Sequence, residues 1–141
     1  MTERVLVPVD GSSRSMEALE YAIAMYPDAA ITLYHVIESG QGDIGALSGI
    51  TGNIPDEEAA MTHAEEVLST ASERATELGA TVETARGRGR PDRLIVKEAG
   101  EGEYDLVVIG SHGRDGVARV LMGSVAEKVA RRSPVPVLIY R

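Results

Sequence analysis

The sequence predicts an α/β protein with an open, Rossmann-like parallel sheet covered by helices on both faces. Five short apolar runs alternate with four segments of helical periodicity, and such alternation produces parallel strands joined by right-handed crossover helices. The run YDLVVIG is almost wholly apolar, which is typical of a strand buried on both faces. The run ATVETAR is more polar and is expected at a sheet edge. The predicted strands are Arg4–Val9, Ala29–Ile37, Ala80–Arg86, Tyr104–Gly110 and Val135–Tyr140.

Capping residues and apolar stripes identify the helices. Ser12 or Ser13 can cap the first helix. Its apolar face comprises Met16, Leu19, Ile23 and Tyr26. The glycine-rich segment 39–53 is expected to be mobile; a long helix then begins around Pro55 and ends at Gly79. Its stripe comprises Ala60, Ala64, Val67, Ala71, Ala75 and Leu78. Two further helices are predicted over Arg93–Glu98 and Ser124–Arg132.

The composition indicates one soluble domain over residues 1–141 and excludes several functional classes. Because the chain has no cysteine, it has no disulfide, thiolate metal ligand or thiol nucleophile. A net charge of -8 argues against a nucleic-acid partner, since duplex binders usually present a basic face. No apolar run approaches the roughly 18 residues of a membrane span, and the N-terminus lacks a signal-peptide pattern. We therefore expect a cytoplasmic protein without a membrane partner.

Ligands of open parallel sheets bind beyond the carboxyl ends of the strands, where the strand order reverses. The residues predicted at these ends are Asp10–Ser12, His35–Val36, Gly87–Gly89 and Gly110–Gly113. The stretch GRGRPD resembles the dinucleotide fingerprint G-x-G-x-x-G but has Asp92 in place of the third glycine. The sequence also lacks the G-x-x-x-x-G-K-[ST] motif of P-loop nucleotidases.

The segment that follows the fourth strand favours phosphate binding. Gly110 and Gly113 permit a tight turn whose backbone can approach a ligand. Gly123 precedes a helix, and helix N-termini attract phosphate through free N–H groups and a partial positive charge. Nearby cationic side chains are His112, Arg114 and Arg119. The pattern Ser124-x-x-Glu127 also fits a capping box, which is a structural alternative for the serine hydroxyl.

Other polar residues have both a functional and a structural interpretation. Asp10 either binds a nucleotide or a divalent metal ion, or bonds backbone N–H groups in the turn after the first strand. His35 is expected to be a partly buried strand residue and His63 to lie on a solvated helix face; no two histidines have metal-ligand spacing. Four arginines and a single acidic residue, Asp92, form a basic island in this acidic chain. The island either attracts phosphate or an acidic partner, or is a solvent-exposed edge of the sheet. The four arginines are Arg86, Arg88, Arg90 and Arg93.

The pattern Gly110-x-x-Gly113, nine residues, Gly123-Ser124 matches the nucleotide motif of universal stress proteins of the ATP-binding type. The chain resembles that family over nearly its whole length. The other similar blocks are Val5–Ser12, Leu33–Val36, Gly89–Pro91, Asp105–Arg114 and Ser133–Ile139.

This resemblance implies an adenine nucleotide α-hydrolase-like sheet of order 3-2-1-4-5, an ATP ligand with Mg²⁺ or Mn²⁺, and a homodimer through the last strand, Val135–Tyr140. That apolar strand could equally be covered by the N-terminal arm or a helix. Asp10 would be the metal contact, and Val36 would contact adenine through its backbone. The nucleotide-binding residues implied by the family are Pro8, Val9, Asp10, Val36, Gly110, His112, Gly113, Arg114, Gly123, Ser124 and Val125.

The sequence leaves three functions open. The first is an ATP-binding stress-response module that signals to a protein partner through nucleotide occupancy, with no catalytic residue and at most slow hydrolysis. The second is a nucleotide-independent dimeric interaction protein, which the intact glycine motif disfavours. The third is a true ATPase or nucleotidyl-transfer enzyme, which would need a second carboxylate near Asp10.

Overall fold

The computed structural model describes residues 2–38, 57–111 and 124–141. Within these ranges the chain forms five strands and four helices in alternation. The strands are β1 (Arg4–Pro8), β2 (Ala30–Glu38), β3 (Val82–Gly89), β4 (Leu106–Gly110) and β5 (Val137–Tyr140). The helices are α1 (Ser13–Met25), α2 (Glu57–Glu77), α3 (Pro91–Glu101) and α4 (Ser124–Arg132).

All five strands are parallel and lie in the order β3-β2-β1-β4-β5. The predicted fold class and strand order are thus confirmed, and β3 lies at an edge as its polarity predicted. The chain moves outward from β1 to β3 in one direction and from β4 to β5 in the other. The strand order therefore reverses between β1 and β4, where a ligand is expected to bind.

Two apolar layers hold the helices against the sheet. On one face, Val5 and Val7 of β1 pack with the buried residues of α1 and α2. On the other face, Leu6 of β1 and Val107 of β4 pack with the buried residues of α3 and α4. Side chains alternate across a strand, so the apolar central strands supply both layers. None of the helices in the described ranges is long and apolar enough to cross a bilayer.

Hydrogen bonds from one side chain fasten the amino-terminal ends of β1 and β4 together. The Asp105 Oδ2 atom accepts hydrogen bonds from the backbone N–H groups of Glu3 and Arg4, each at 2.9 Å. These two bonds lower the pKa of the Asp105 carboxyl below its ordinary value of 3.8. The Arg4 guanidinium lies 4.8 Å from the centre of the Tyr104 ring. These contacts hold β1 and β4 together at their amino-terminal ends. The carboxyl ends of the same two strands border the strand reversal.

Several predicted boundaries were wrong by two or three residues. β3 continues through its glycines to Gly89 because its backbone pairs with β2 as far as Glu38. α3 begins at Pro91, where a missing N–H costs nothing, and passes through Gly100 to Glu101. β4 and β5 each begin two residues later than predicted. Of the stripe predicted for α2, Leu78 is 41% exposed, because it lies beyond the last helical turn.

Candidate functional site

A cavity of about 460 Å³ lies at the carboxyl ends of the strands, around the reversal between β1 and β4. Small-molecule sites typically enclose about 300–1,000 Å³. The strand ends contribute Pro8, Val9, Asp10, Tyr34, Val36, Glu38, Ile109 and Gly110 to its lining. The helical segments contribute Ser12, Ser15, Pro91, Ile95, Ser124, Val125 and Ala126.

The cavity brings together seven of the eleven residues that the sequence associates with a nucleotide. These seven are Pro8, Val9, Asp10, Val36, Gly110, Ser124 and Val125. The other four lie outside the described residues, as does the segment 39–53. These four are His112, Gly113, Arg114 and Gly123. Residues distant in sequence thus meet at one edge of the sheet, because parallel strands all end there.

The turn between β1 and α1 is held by its own hydrogen bonds. The Asp10 Oδ1 atom accepts a hydrogen bond from the Ser12 N–H at 2.9 Å, the turn bonding that its structural interpretation predicted. Ser12 then caps α1, its Oγ accepting from the Ser15 N–H at 3.1 Å. Gly11 has φ +88°, and a Cβ there would lie 3.3 Å from Val67. Asp10 therefore shapes the turn and lines the cavity at once.

One part of the cavity has an apolar lining. It comprises Pro8, Tyr34, Val36, Pro91, Ile95 and Ile109. Tyr34 is only 6% exposed, and no described residue hydrogen bonds to its hydroxyl. Burial raises the pKa of Tyr34 above 10.0, and the Glu98 carboxylate raises it further, so the hydroxyl stays protonated at neutral pH. Sequence reasoning missed Tyr34, although its place two residues before Val36 puts both on one strand face.

Packing requires a glycine at position 110. A Cβ at this position would lie 2.7 Å from the backbone oxygen of Arg14 in α1. Backbone cannot rotate away as a flexible side chain can, so α1 approaches β4 this closely only because residue 110 is glycine. This glycine of the nucleotide motif thus also allows the first turn of α1 to pack against β4.

The cavity contains charged and dipolar groups of both signs. Asp10 and Glu38 both line it, so a second carboxylate lies in the same cavity as Asp10. Opposing these, Ser124 and Val125 present the N-terminus of α4, which carries a partial positive charge. The sequence did not indicate Glu38, because its position in the cavity depends on how far β2 extends beyond Val36.

The capping box that was the structural alternative for the Ser124 hydroxyl is not formed. The Glu127 carboxylate accepts a hydrogen bond from Arg131 at 3.0 Å, and in the described part of the chain nothing bonds it to Ser124. Ser124 is already the first residue of the helix rather than its cap. Its hydroxyl is thus not bonded to Glu127, and its backbone N–H has no acceptor within the described part of α4, since the first-turn N–H groups of a helix point away from it.

Three of the four arginines of the basic island form ion pairs at or just after β3. Arg88 lies 2.6 Å from Glu57 and Arg86 lies 4.0 Å from Glu65, two acidic residues of α2. The Arg90 Nε lies 3.7 Å from Asp92. None of these arginines lines the cavity. The structure therefore favours the solvated-edge interpretation of the island.

The two described histidines lie in strand β2 and helix α2. His35 is buried at 6% exposure, and its Nδ1 donates to the Val9 carbonyl at 2.9 Å; His63 is exposed, as predicted. In ranges 2–38, 57–111 and 124–141, no three His, Asp or Glu side chains cluster as a metal site. Asp10 as a metal contact stays a prediction, because Mg²⁺ is usually held jointly by a carboxylate and substrate phosphates.

Fold and cavity together define a Rossmann-like α/β protein with a cavity at the point of strand reversal, where ligands of such sheets bind. The model of the universal stress protein family matches residues 1–141. The chain therefore belongs to the universal stress protein family.

Relatives of known name or structure agree with this membership. Universal stress protein YxiE of Bacillus subtilis (strain 168) is 34% identical over 148 residues, which cover 100% of both chains. A universal stress protein solved in complex with cAMP is 31% identical, with 99% of this chain and 97% of that chain covered and a TM-score of 0.71. The universal stress protein from Archaeoglobus fulgidus in complex with dAMP is 26% identical, with 100% and 98% covered and a TM-score of 0.69.

Proposed function

We propose that this chain is an ATP-binding universal stress protein, a cytoplasmic module whose nucleotide occupancy signals to a protein partner. The observation that carries this proposal is the meeting of the seven motif residues in one cavity at the strand reversal. A cavity of about 460 Å³ is large enough for a nucleotide. Its apolar lining suits a base, and the α4 N-terminus suits phosphate.

Each group in the cavity has a role in this proposal. The backbone of Val36 would contact adenine, and Pro8 and Val9 would enclose the adenosine. Gly110 would border the ribose, while the N–H groups of Ser124 and Val125 would hold phosphate oxygens. Asp10 would contact a phosphate-bound Mg²⁺ or Mn²⁺, which would neutralise phosphate charge. Two family members, at 31% and 26% identity, bind cAMP and dAMP, and these adenine nucleotides support the same ligand class here.

A second candidate function is hydrolysis or nucleotidyl transfer, which the presence of Glu38 and Asp10 in one cavity favours. Phosphoryl transfer depends on positioning a nucleophile and stabilising charge, and carboxylates can orient water. Both side chains, however, also repel a polyphosphate in the absence of metal. We therefore propose that turnover, if measured, is slower than the ~1 per second of ordinary enzymes.

We also propose a homodimer formed through β5. This edge strand is half-buried at every position from Val137 to Tyr140, and an apolar edge favours pairing with another strand. Sedimentation velocity should show a dimer whether or not nucleotide is present. A dimer that never binds nucleotide would support the interaction-protein alternative.

Nucleotide release and titration test the main proposal. The purified protein is denatured, the released small molecules are chromatographed, and nucleotide-free protein is titrated calorimetrically with Mg-ATP, Mg-AMP and Mg-GTP. We expect a saturable site that prefers adenine nucleotides. The proposal fails if no nucleotide co-purifies and none of the three gives binding heat at several salt concentrations. Multiple turnovers at ~1 per second or faster would instead establish the enzyme.

A further inference from the structure

Two of the three histidines in the chain meet on the face of β2 opposite the cavity. The rings of His35 in β2 and His63 in α2 have centres 5.8 Å apart and planes inclined at 73°. The side chains of Tyr34 and Val36, which flank His35 in the strand, line the cavity instead. The two histidine rings thus lie outside the cavity lining.

Hydrogen bonding leaves His35 with one ring nitrogen suited to a ligand. Its Nδ1 lies 2.9 Å from the Val9 carbonyl oxygen, which can only accept, so Nδ1 carries the hydrogen. In the neutral ring, Nε2 therefore keeps its lone pair, and no described residue bonds to it. Metal-binding histidines almost always donate their other ring N–H in this way, often to a backbone carbonyl.

His63 is placed to supply the second nitrogen. It is exposed on α2, so its ring can turn, whereas the buried Ala64 and Val67 beside it anchor the helix to the sheet. Imidazoles that share a tetrahedral ion, at metal–nitrogen distances of about 2.0–2.1 Å, have ring centres about 5 Å apart. The ring centres are 5.8 Å apart, and a small rotation of the His63 ring would bring them to that separation.

The surrounding charges permit a cation at this position. Arg86 is the register partner of His35 on β3 and faces the same side of the sheet, but its charge is offset by Glu65 on α2 at 4.0 Å. Glu66 follows His63 by three positions on α2 and is also exposed. No described third His, Asp or Glu completes a cluster with the pair, so water would fill the remaining coordination positions.

We propose that His35 and His63 form a two-histidine site for a borderline divalent ion of the Zn²⁺, Ni²⁺ or Cu²⁺ class. Imidazole nitrogens suit these ions, whereas Mg²⁺ and Ca²⁺ prefer oxygen ligands. The bound ion would join β2 to α2. Because neither proposed ligand lines the cavity and no nucleotide takes part, the site does not depend on the proposed function.

Titration of nucleotide-free, chelator-treated protein with Zn²⁺ and Cu²⁺ tests the site. We expect one saturable ion per chain, with imidazole-nitrogen splitting in the Cu²⁺ electron paramagnetic resonance spectrum. His63→Gln should weaken binding at least tenfold without changing metal-free stability, since the side chain is exposed. Zn²⁺ should raise the unfolding midpoint of the parent chain, because a ligand of the native state stabilises it, but not that of His63→Gln.

Thr62→Gln is the matched control, because it places the same amide side chain at the neighbouring exposed position of α2 and should leave the affinity within about twofold. The proposal is overturned if the parent chain binds neither ion saturably. It is equally overturned if His63→Gln binds as the parent does, or if Thr62→Gln abolishes binding.

Discussion

The Tyr34 hydroxyl occupies the space beside Gly87, 2.5 Å from where a Cβ on that residue would stand. The two residues lie on neighbouring strands, β2 and β3, and Tyr34 lines the cavity. A glycine in a strand often marks such a close approach. The position of a cavity-lining ring therefore depends on a residue outside the cavity.

Gly87→Ala should displace the Tyr34 ring, lower the free energy of unfolding by about 1–3 kcal/mol through overpacking, and weaken nucleotide binding. Urea unfolding and calorimetric titration measure the two effects. Tyr34→Phe removes the clashing oxygen, so the double variant should recover much of the stability lost in Gly87→Ala. Strict additivity of the two changes would show that this contact does not cause the loss.

Replacing Ser124 separates its hydroxyl from its backbone. Ser124→Ala should leave ATP affinity within about threefold, because the proposal assigns the phosphate contact to the backbone N–H, which alanine keeps. Ser124→Pro removes the backbone N–H at a helix position that tolerates proline. Since a hydrogen bond to a charged group contributes about 1.5–3 kcal/mol, affinity should fall at least tenfold. Equal losses in the two variants would contradict a backbone role for this residue.

Asp105 should make the stability of the protein depend on acidity. Its pKa is lower in the folded chain than the ordinary 3.8, so the unfolded state binds its proton more readily. The stabilisation is therefore complete above pH ~4 and is lost as the pH falls through the folded pKa. The urea midpoint of Asp105→Asn should lie below that of the parent at pH 7, with the difference shrinking towards pH 2. A difference that stays constant over this range would refute the assignment.

Arg88 tests whether the β3 arginines serve the ligand. Its guanidinium is already paired with Glu57 at 2.6 Å and is not in the cavity lining. Exposed ion pairs contribute about 0–1 kcal/mol, so Arg88→Ala should change unfolding little and ATP affinity less than twofold. Glu57→Gln, which frees the arginine, is the matched control. A fivefold or greater loss of affinity in Arg88→Ala would restore the phosphate-rim interpretation.

Much of the architecture was predictable because it depends on local patterns. Alternating apolar runs and helical stripes determined five strands, four helices and a parallel sheet, and Ser12 was identified as a possible cap from its position alone. The boundaries of β3 and α3 were missed because glycine and proline interrupt a pattern locally. β3 continues through its glycines because its backbone pairs with β2. α3 begins at Pro91 because a proline in the first helical turn loses no hydrogen bond.

The sequence by itself determined the fold class, the family resemblance and most of the residues expected at the ligand site, since periodicity dictates which face of an element is buried. Only the tertiary structure decided which faces meet. It placed Tyr34 and Glu38 in the cavity, paired Arg86 and Arg88 with α2, and joined His35 to His63. These contacts link residues that are distant in sequence, and their partners depend on strand register and helix packing, which periodicity does not encode.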